Sequence, residues 1–284
     1  MSGPHGTARR VVSLVPSLTE AVAVTLPGVL AGATDWCSHP ADLDVPRIGG
    51  TKNPDVDAIL RLAPDLVVAN EEENRAPDLS ALRAAGVEVL VTEVRDVPGA
   101  FRELDRVLRA CGAPGRPRWL DEAEAAWSAL PGPDAPRTPG AREPGPGGPP
   151  GPSGGATAVP PAHGTAAVGP VPRTTAVVPV WRRPWMVLGR DTFAGDVLAR
   201  LGVDNLYAAH PERYPRVPLE ELRAAAPDLV VLPDEPYRFT AGDGPEAFAG
   251  TPCALVGGRH LTWYGPSLVE APRVIGEALR AARR

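Results

Sequence analysis

Lysine is almost missing from this chain: a single residue, Lys52, stands beside 28 arginines. Cysteine is scarce as well, and Cys37, Cys111 and Cys253 cannot all pair. None forms Cys-x-x-Cys, which excludes a disulfide framework and points to reduced thiols. No apolar run approaches the ~20 residues of a membrane-spanning helix, so no such span is expected. Met1 to Arg10 lacks the ~7–15-residue apolar stretch of a secretory signal, so the chain as written reads as cytoplasmic, and as extracytoplasmic if the true start lies upstream. A basic stripe is also wanting. With a net charge of −5 and an isoelectric point near 5.6, a nucleic-acid partner is excluded. The letters of G-x-S-x-G occur at 151–155 as GPSGG, inside a Pro/Gly-rich stretch rather than as an elbow between a strand and a helix, and the phosphate-binding P-loop and G-x-G-x-x-G are absent, so no recognised catalytic device is present.

Proline and glycine, by contrast, are abundant, at 36 and 30 of 284 residues, while the hydrophobic fraction of 43% is ordinary for a globular protein. Residues 131 to 173 concentrate 13 of the prolines and 10 of the glycines without any periodic apolar pattern. Such a segment cannot bury enough surface to offset its ordering entropy, and we read it as a disordered linker or insertion. It divides the chain into an α/β lobe over 1–115, a helix over 116–130 and a second α/β lobe over 174–284.

Within the first block, VVSLV at 11–15 reads as a strand, and Ser17-Leu18-Thr19-Glu20 matches a capping box that would start a helix. VLAGAT at 29–34, LVVA at 66–69 and VEVLVT at 87–92 read as further strands. Asn53-Pro54 suits the N-cap and first position of a helix carrying Val56, Ile59 and Leu60. Pro77 to Ala85 reads as a helix closed by Gly86. Phe101, Leu104, Val107, Leu108 and Cys111 recur at helical spacing, as do Trp119, Leu120, Ala123, Trp127 and Leu130. In the second block TAVVPV at 175–180 and WMVLG at 185–189 read as strands, with Asp191 or Thr192 capping a helix that carries Phe193, Val197 and Leu198. The segment LRLAPDLVVAN at 60–70 echoes LRAAAPDLVVLPD at 222–234. Strands and helices alternating at these lengths imply parallel sheets, and the polar loop after each PDLVV strand lies at the carboxyl edge where ligands bind.

With the two PDLVV segments, the opening VVSLVPSLTE, the turn GGTKNP and the closing HLTWYGPSLVEAPRVI, the chain resembles the class III substrate-binding proteins of ABC transporters over roughly residues 10–130 and 174–275. The resemblance implies two Rossmann-like lobes with parallel sheets, a bridging helix, a ligand cleft between the lobes and a monomer without covalent cofactor. It implies non-catalytic binding of a metal-containing small molecule: cobalamin, haem or a ferric siderophore. By local pattern it places ligand contacts on Trp36 and His39 in DWCSHP, Trp185 in RRPWMVLG, Tyr214 in RYPRV, and Trp263 and Tyr264 in LTWYGP. Aromatic side chains of this kind suit a flat macrocycle, giving large apolar contact at small rotamer cost.

The loop NEEENR at 70–75 stands where vitamin B12 binders of the family carry a tryptophan, and Gly50 stands where they carry another. Asn70, Glu72, Glu73, Asn74 and Arg75 are therefore candidate contacts to a cationic or metal-bearing ligand. Cys37-Ser38-His39 lacks the spacing of a structural zinc site and is assigned no metal, although His39 is carried as a candidate axial ligand. Docking to an ABC permease would fall on Asp55 in NPDVDAI and Glu220 in PRVPLEEL, both in the first turn of an expected helix. An intracellular metal-cofactor receptor and a partner-binding module without transport role are the alternatives; an enzyme has least support.

Overall fold

A computed structural model describes residues 10–132 and 173–284. The expected linker at 131–173 lies outside the described residues except at its edges. In the first lobe β1 (Val11–Ser13), α1 (Pro16–Thr25), β2 (Leu30–Ala33), the short hairpin β3 (Gly49–Gly50) and β4 (Asn53–Pro54), α2 (Val56–Arg61), β5 (Leu66–Asn70), α3 (Ala76–Ala84), β6 (Glu88–Thr92) and α4 (Val97–Ala110) follow in order. The helix α5 (Arg118–Ser128) comes next. The second lobe holds β7 (Thr174–Val177), β8 (Pro179–Arg182), β9 (Trp185–Val187), α6 (Phe193–Arg200), β10 (Val203–Asn205), α7 (Leu219–Ala224), β11 (Leu229–Pro233), β12 (Cys253–Val256), α8 (Gly258–Leu261) and α9 (Ala271–Ala281).

Each lobe is built on one four-stranded parallel sheet. The orders are β2-β1-β5-β6 and β10-β7-β11-β12, the same topology twice. The repeat seen in the sequence marks equivalent pieces: α2 leads to β5 and α7 to β11. In both, an alanine before proline takes the left-handed conformation, Ala63 at φ 46° and Ala226 at φ 47°. Residues of β5 and β11 are buried throughout, as an apolar run in a parallel sheet requires.

Three expectations change. Ser17 and Glu20 form no capping box, because Pro16 takes the first helical turn and Val15 becomes the N-cap, which places Ser17 inside α1. Asn53-Pro54 caps no helix. It pairs with Gly49-Gly50, and Asp55 caps α2 through a 2.8 Å bond from the Ala58 amide. TAVVPV and WMVLG are not both strands of the parallel sheet: the chain leaves it at Val178, and β8 and β9 form an antiparallel hairpin. Thr192, rather than Asp191, caps α6.

One apolar cluster runs through both lobes. It takes in Val11, Leu18 and Leu66 from the first, Ala176, Leu229 and Val231 from the second, and between them Phe101, Leu104 and Leu108 of α4, Leu120 and Trp127 of α5 and Val197 of α6. The lobes also share a helix cap. Asp196 of α6 accepts from the Val97 amide at 2.8 Å, while Asp96 accepts from Gly99 at 2.5 Å, so the first turn of α4 draws one acceptor from each lobe. No described helix is long and apolar enough to cross a membrane.

Candidate functional site

The carboxyl ends of the two sheets carry the polar loops. After β5 the chain turns through Glu71, Glu72 and Glu73, and the turn is held from within. Asn70 Oδ1 accepts from the Glu72 amide at 2.9 Å, its Nδ2 donates to the Thr92 carbonyl at 3.0 Å, and Asn74 Nδ2 donates to the Leu14 and Thr51 carbonyls. Both asparagines are buried. They shape the loop, and Glu72 and Glu73 are what it presents. Arg75 is exposed at the start of α3, 4.0 Å from Asp78.

From the second lobe Arg213 and Tyr214 meet this loop. The Tyr214 hydroxyl donates to Glu72 at 3.0 Å, and Arg213 pairs with Glu72 and lies 3.3 Å from Glu71. The loop bearing them can approach because Gly189 lies beneath it: a Cβ there would sit 2.0 Å from the Glu212 carbonyl oxygen. Tyr214 is 36% exposed, yet its hydroxyl is tucked in. That burial and the adjacent Glu72 charge hold the phenol well above its ordinary pKa. Lys52, the sole lysine, donates to the Glu72 carbonyl.

Deeper between the lobes, His39 stands edge-on to Trp263, ring centroids 5.5 Å apart, and the Trp263 indole donates to Glu235 at 2.8 Å. Burial raises the Glu235 pKa against the opposing effect of that hydrogen bond. Glu73 is half-buried with Lys52, Glu72 and Glu235 as charged neighbours. Burial foremost pushes it to about 7, Lys52 opposing and the two carboxylates assisting. A carboxyl that keeps its proton to about pH 7 when folded, but releases it near 4.5 when unfolded, withdraws stability as pH rises through that window. Glu73→Gln is therefore expected to stabilise the protein by about 2 kcal/mol at pH 8 and by nothing measurable at pH 4.5. Denaturant unfolding at the two pH values reads this; a gain independent of pH would contradict it.

The sequence-derived candidates thus separate. Glu72 meets Tyr214, and His39 meets Trp263, in each case across the lobes. Trp36 is 68% exposed at the edge of the first lobe, its indole nitrogen beside Gly50. Trp263 and Tyr264 are buried, at 7% and 5% exposure, rather than open in an aromatic-rich loop. Tyr264 packs edge-on against Phe193, in the cluster common to both lobes. Trp185 lies flat against Phe239 and edge-on to Phe248 in a satellite core of the second lobe. The trio Cys37-Ser38-His39 does not converge: the Cys37 thiol is buried between Thr19 and Thr34 hydroxyls, and His39 Nδ1 faces Ser38. Among the described residues no three His, Cys, Asp or Glu side chains cluster as a metal site. Asp55 and Glu220 are exposed at the start of α2 and α7, equivalent places in the two lobes.

Sequence reasoning missed Arg213, Lys52, Glu235 and the pair Glu20–Arg259. Arg213 adjoins Tyr214 and could have been carried with it. Glu20 and Arg259 are separated by 239 positions, and no local pattern joins them.

No family model matches the sequence, and no curated protein matches it as a relative. Solved structures do match in three dimensions. The chain is similar to the periplasmic haem-binding protein RhuT from Roseiflexus sp. RS-1 at a TM-score of 0.73 and 21% identity, covering 98% of this chain and all of that one. It is similar to the periplasmic vitamin B12 binding protein BtuF of Vibrio cholerae at 0.68 and 16%, covering 98% of each chain. A periplasmic haem-binding protein, BhuT, in complex with two haems matches at 0.70 and 21%, covering 98% of this chain and all of that one. The chain has the α/β fold of these two-lobed binding proteins.

Proposed function

We propose that this chain, having the fold of the two-lobed periplasmic binding proteins, is a non-catalytic receptor for a metal-bearing small molecule, cobalamin, haem or a ferric siderophore, held where the two lobes meet. The observation that carries this reading is the meeting of Glu72 with Arg213 and Tyr214 across the lobes. Loops from the carboxyl ends of two equivalent sheets converge there, which is where open α/β sheets take ligands. Trp36, His39, Glu72, Glu73 and Tyr214 are the contacts, with Arg75 at the margin. Asn70, Asn74, Trp263 and Tyr264 support them from below, and Trp185 borders the site on the second lobe. A ligand entering here exchanges the Glu72–Arg213 pair for its own polar groups, so the carboxylates and the guanidinium are set free together.

In a transporter, Asp55 and Glu220 would face the permease, one carboxylate per lobe on matching helices. The test is a titration of the full chain with hemin, cobalamin and a ferric chelate, followed by visible absorbance. At least one is expected to shift its spectrum, and Tyr214→Ala with Trp36→Ala to weaken that binding at least tenfold. Flat titrations with all three would end the receptor reading.

A further inference from the structure

Two residues along the chain from Tyr214 the second lobe carries a shallow, open groove of about 590 Å³ lined by Arg182, Arg183, Pro184, Trp185, Arg216, Val217 and Pro218. Its floor is apolar and its rim cationic. Trp185 is fixed there by Phe239, Phe248 and the Arg182 guanidinium, 5.5 Å from its ring centroid. The three arginines are not equivalent. Arg182 is nearly buried and spends its charge on Asp243 and Glu246. Arg183 and Arg216 are exposed, and among the described residues neither side chain has a hydrogen-bond or ion-pair partner. Arg183 sits in the turn of the β8–β9 hairpin. Arg216 lies opposite Met186 of β9, on the segment that runs back from Tyr214 through bonds from the Val187 amide to the Pro215 carbonyl and from the Val217 amide to the Trp185 carbonyl. The groove is therefore continuous in the chain with the rim of the inter-lobe site.

An apolar trough edged by two unspent guanidiniums matches a flat molecule with carboxylates on its periphery, because each guanidinium fork can take one carboxylate in a paired hydrogen bond. We infer that Arg183 and Arg216 form an anion-recognition site that selects a planar ligand bearing carboxylates over an amide-bearing one. This inference rests on the receptor reading above and narrows it.

The experiment titrates the full chain with hemin, which bears two carboxylates, and with dicyanocobinamide, a flat corrin bearing amides. It is repeated with the double variant Arg183→Gln, Arg216→Gln, whose melting temperature should be unchanged because both side chains are exposed and unpaired. Hemin is expected to bind at least tenfold more tightly than dicyanocobinamide, and the variant to lose at least tenfold for hemin alone. Equal hemin affinity in the variant, or a preference for dicyanocobinamide, overturns the arginine site and leaves the receptor reading standing. Binding of neither molecule overturns the arginine site, and the broader reading then depends on cobalamin or the ferric chelate.

Discussion

Trp127→Ala is expected to cost about 3–5 kcal/mol of stability, with a fall in melting temperature on the order of 10 °C. Trp127 is 1% exposed near the end of α5 and belongs to the apolar cluster common to both lobes. Its indole also donates to the Leu268 carbonyl at 2.9 Å, 141 positions on, tying α5 to the turn before α9. Truncation removes a large buried surface, leaves a hole and strands a buried carbonyl. A cleft of about 170 Å³, open to solvent and lined by Val97, Phe101, Trp127 and Arg200, adjoins the ring. Trp127→Phe keeps most of the packing and should lose only about 1–2 kcal/mol, chiefly the hydrogen bond and its orphaned acceptor. Urea unfolding of both variants separates the two contributions. An alanine variant less than ~1.5 kcal/mol below the parent would show that α5 is not a joint between the lobes.

Arg259→Leu is the second large effect. Glu20, inside α1, has its side chain only 5% exposed, and Arg259 of α8 meets its carboxylate with two nitrogens, Nε at 3.2 Å and a second, closer contact. Removing the guanidinium leaves a buried carboxylate without compensation, a change that costs about 3–5 kcal/mol in comparable sites. Removing both charges is far milder, since neither then needs a partner. The double variant Glu20→Gln, Arg259→Leu should recover at least half of the loss, giving a coupling of more than ~1.5 kcal/mol in a double-mutant cycle. Additive losses would show that the pair does not act as a unit. Because the two residues belong to opposite lobes, the single variant should also speed amide exchange in α1 and α8 more than in α3 or α7.

The contrast between Ser17 and Glu20 shows how far local pattern reaches. Ser-x-x-Glu is a helix-start signal, yet Pro16 shifts the start by two residues. The glutamate is then drawn to an arginine whose position in the chain says nothing of its nearness. The β8–β9 hairpin was hidden for a related reason. TAVV and WMVL have the composition of sheet strands, and only the tertiary pairing shows that β7 joins the parallel sheet between β10 and β11 while β9 folds back on β8. The aromatic candidates divide in the same way. Tyr214 lies between prolines in a loop and remains at a rim, whereas Trp263 and Tyr264, in a turn of similar character, become filling between the lobes.

The sequence by itself determined the alternation of strand and helix, the two equivalent halves and the placing of the Glu71–Glu73 loop at a sheet's carboxyl edge. Those features follow from burial periodicity, proline and glycine positions and repeat spacing, all of which act over a few residues. Only the tertiary structure decided which charges pair, which rings are buried and which guanidiniums stay unspent. Such outcomes depend on distances between segments far apart in the chain, and the desolvation of a carboxylate or a ring is settled by whatever the opposite lobe brings against it.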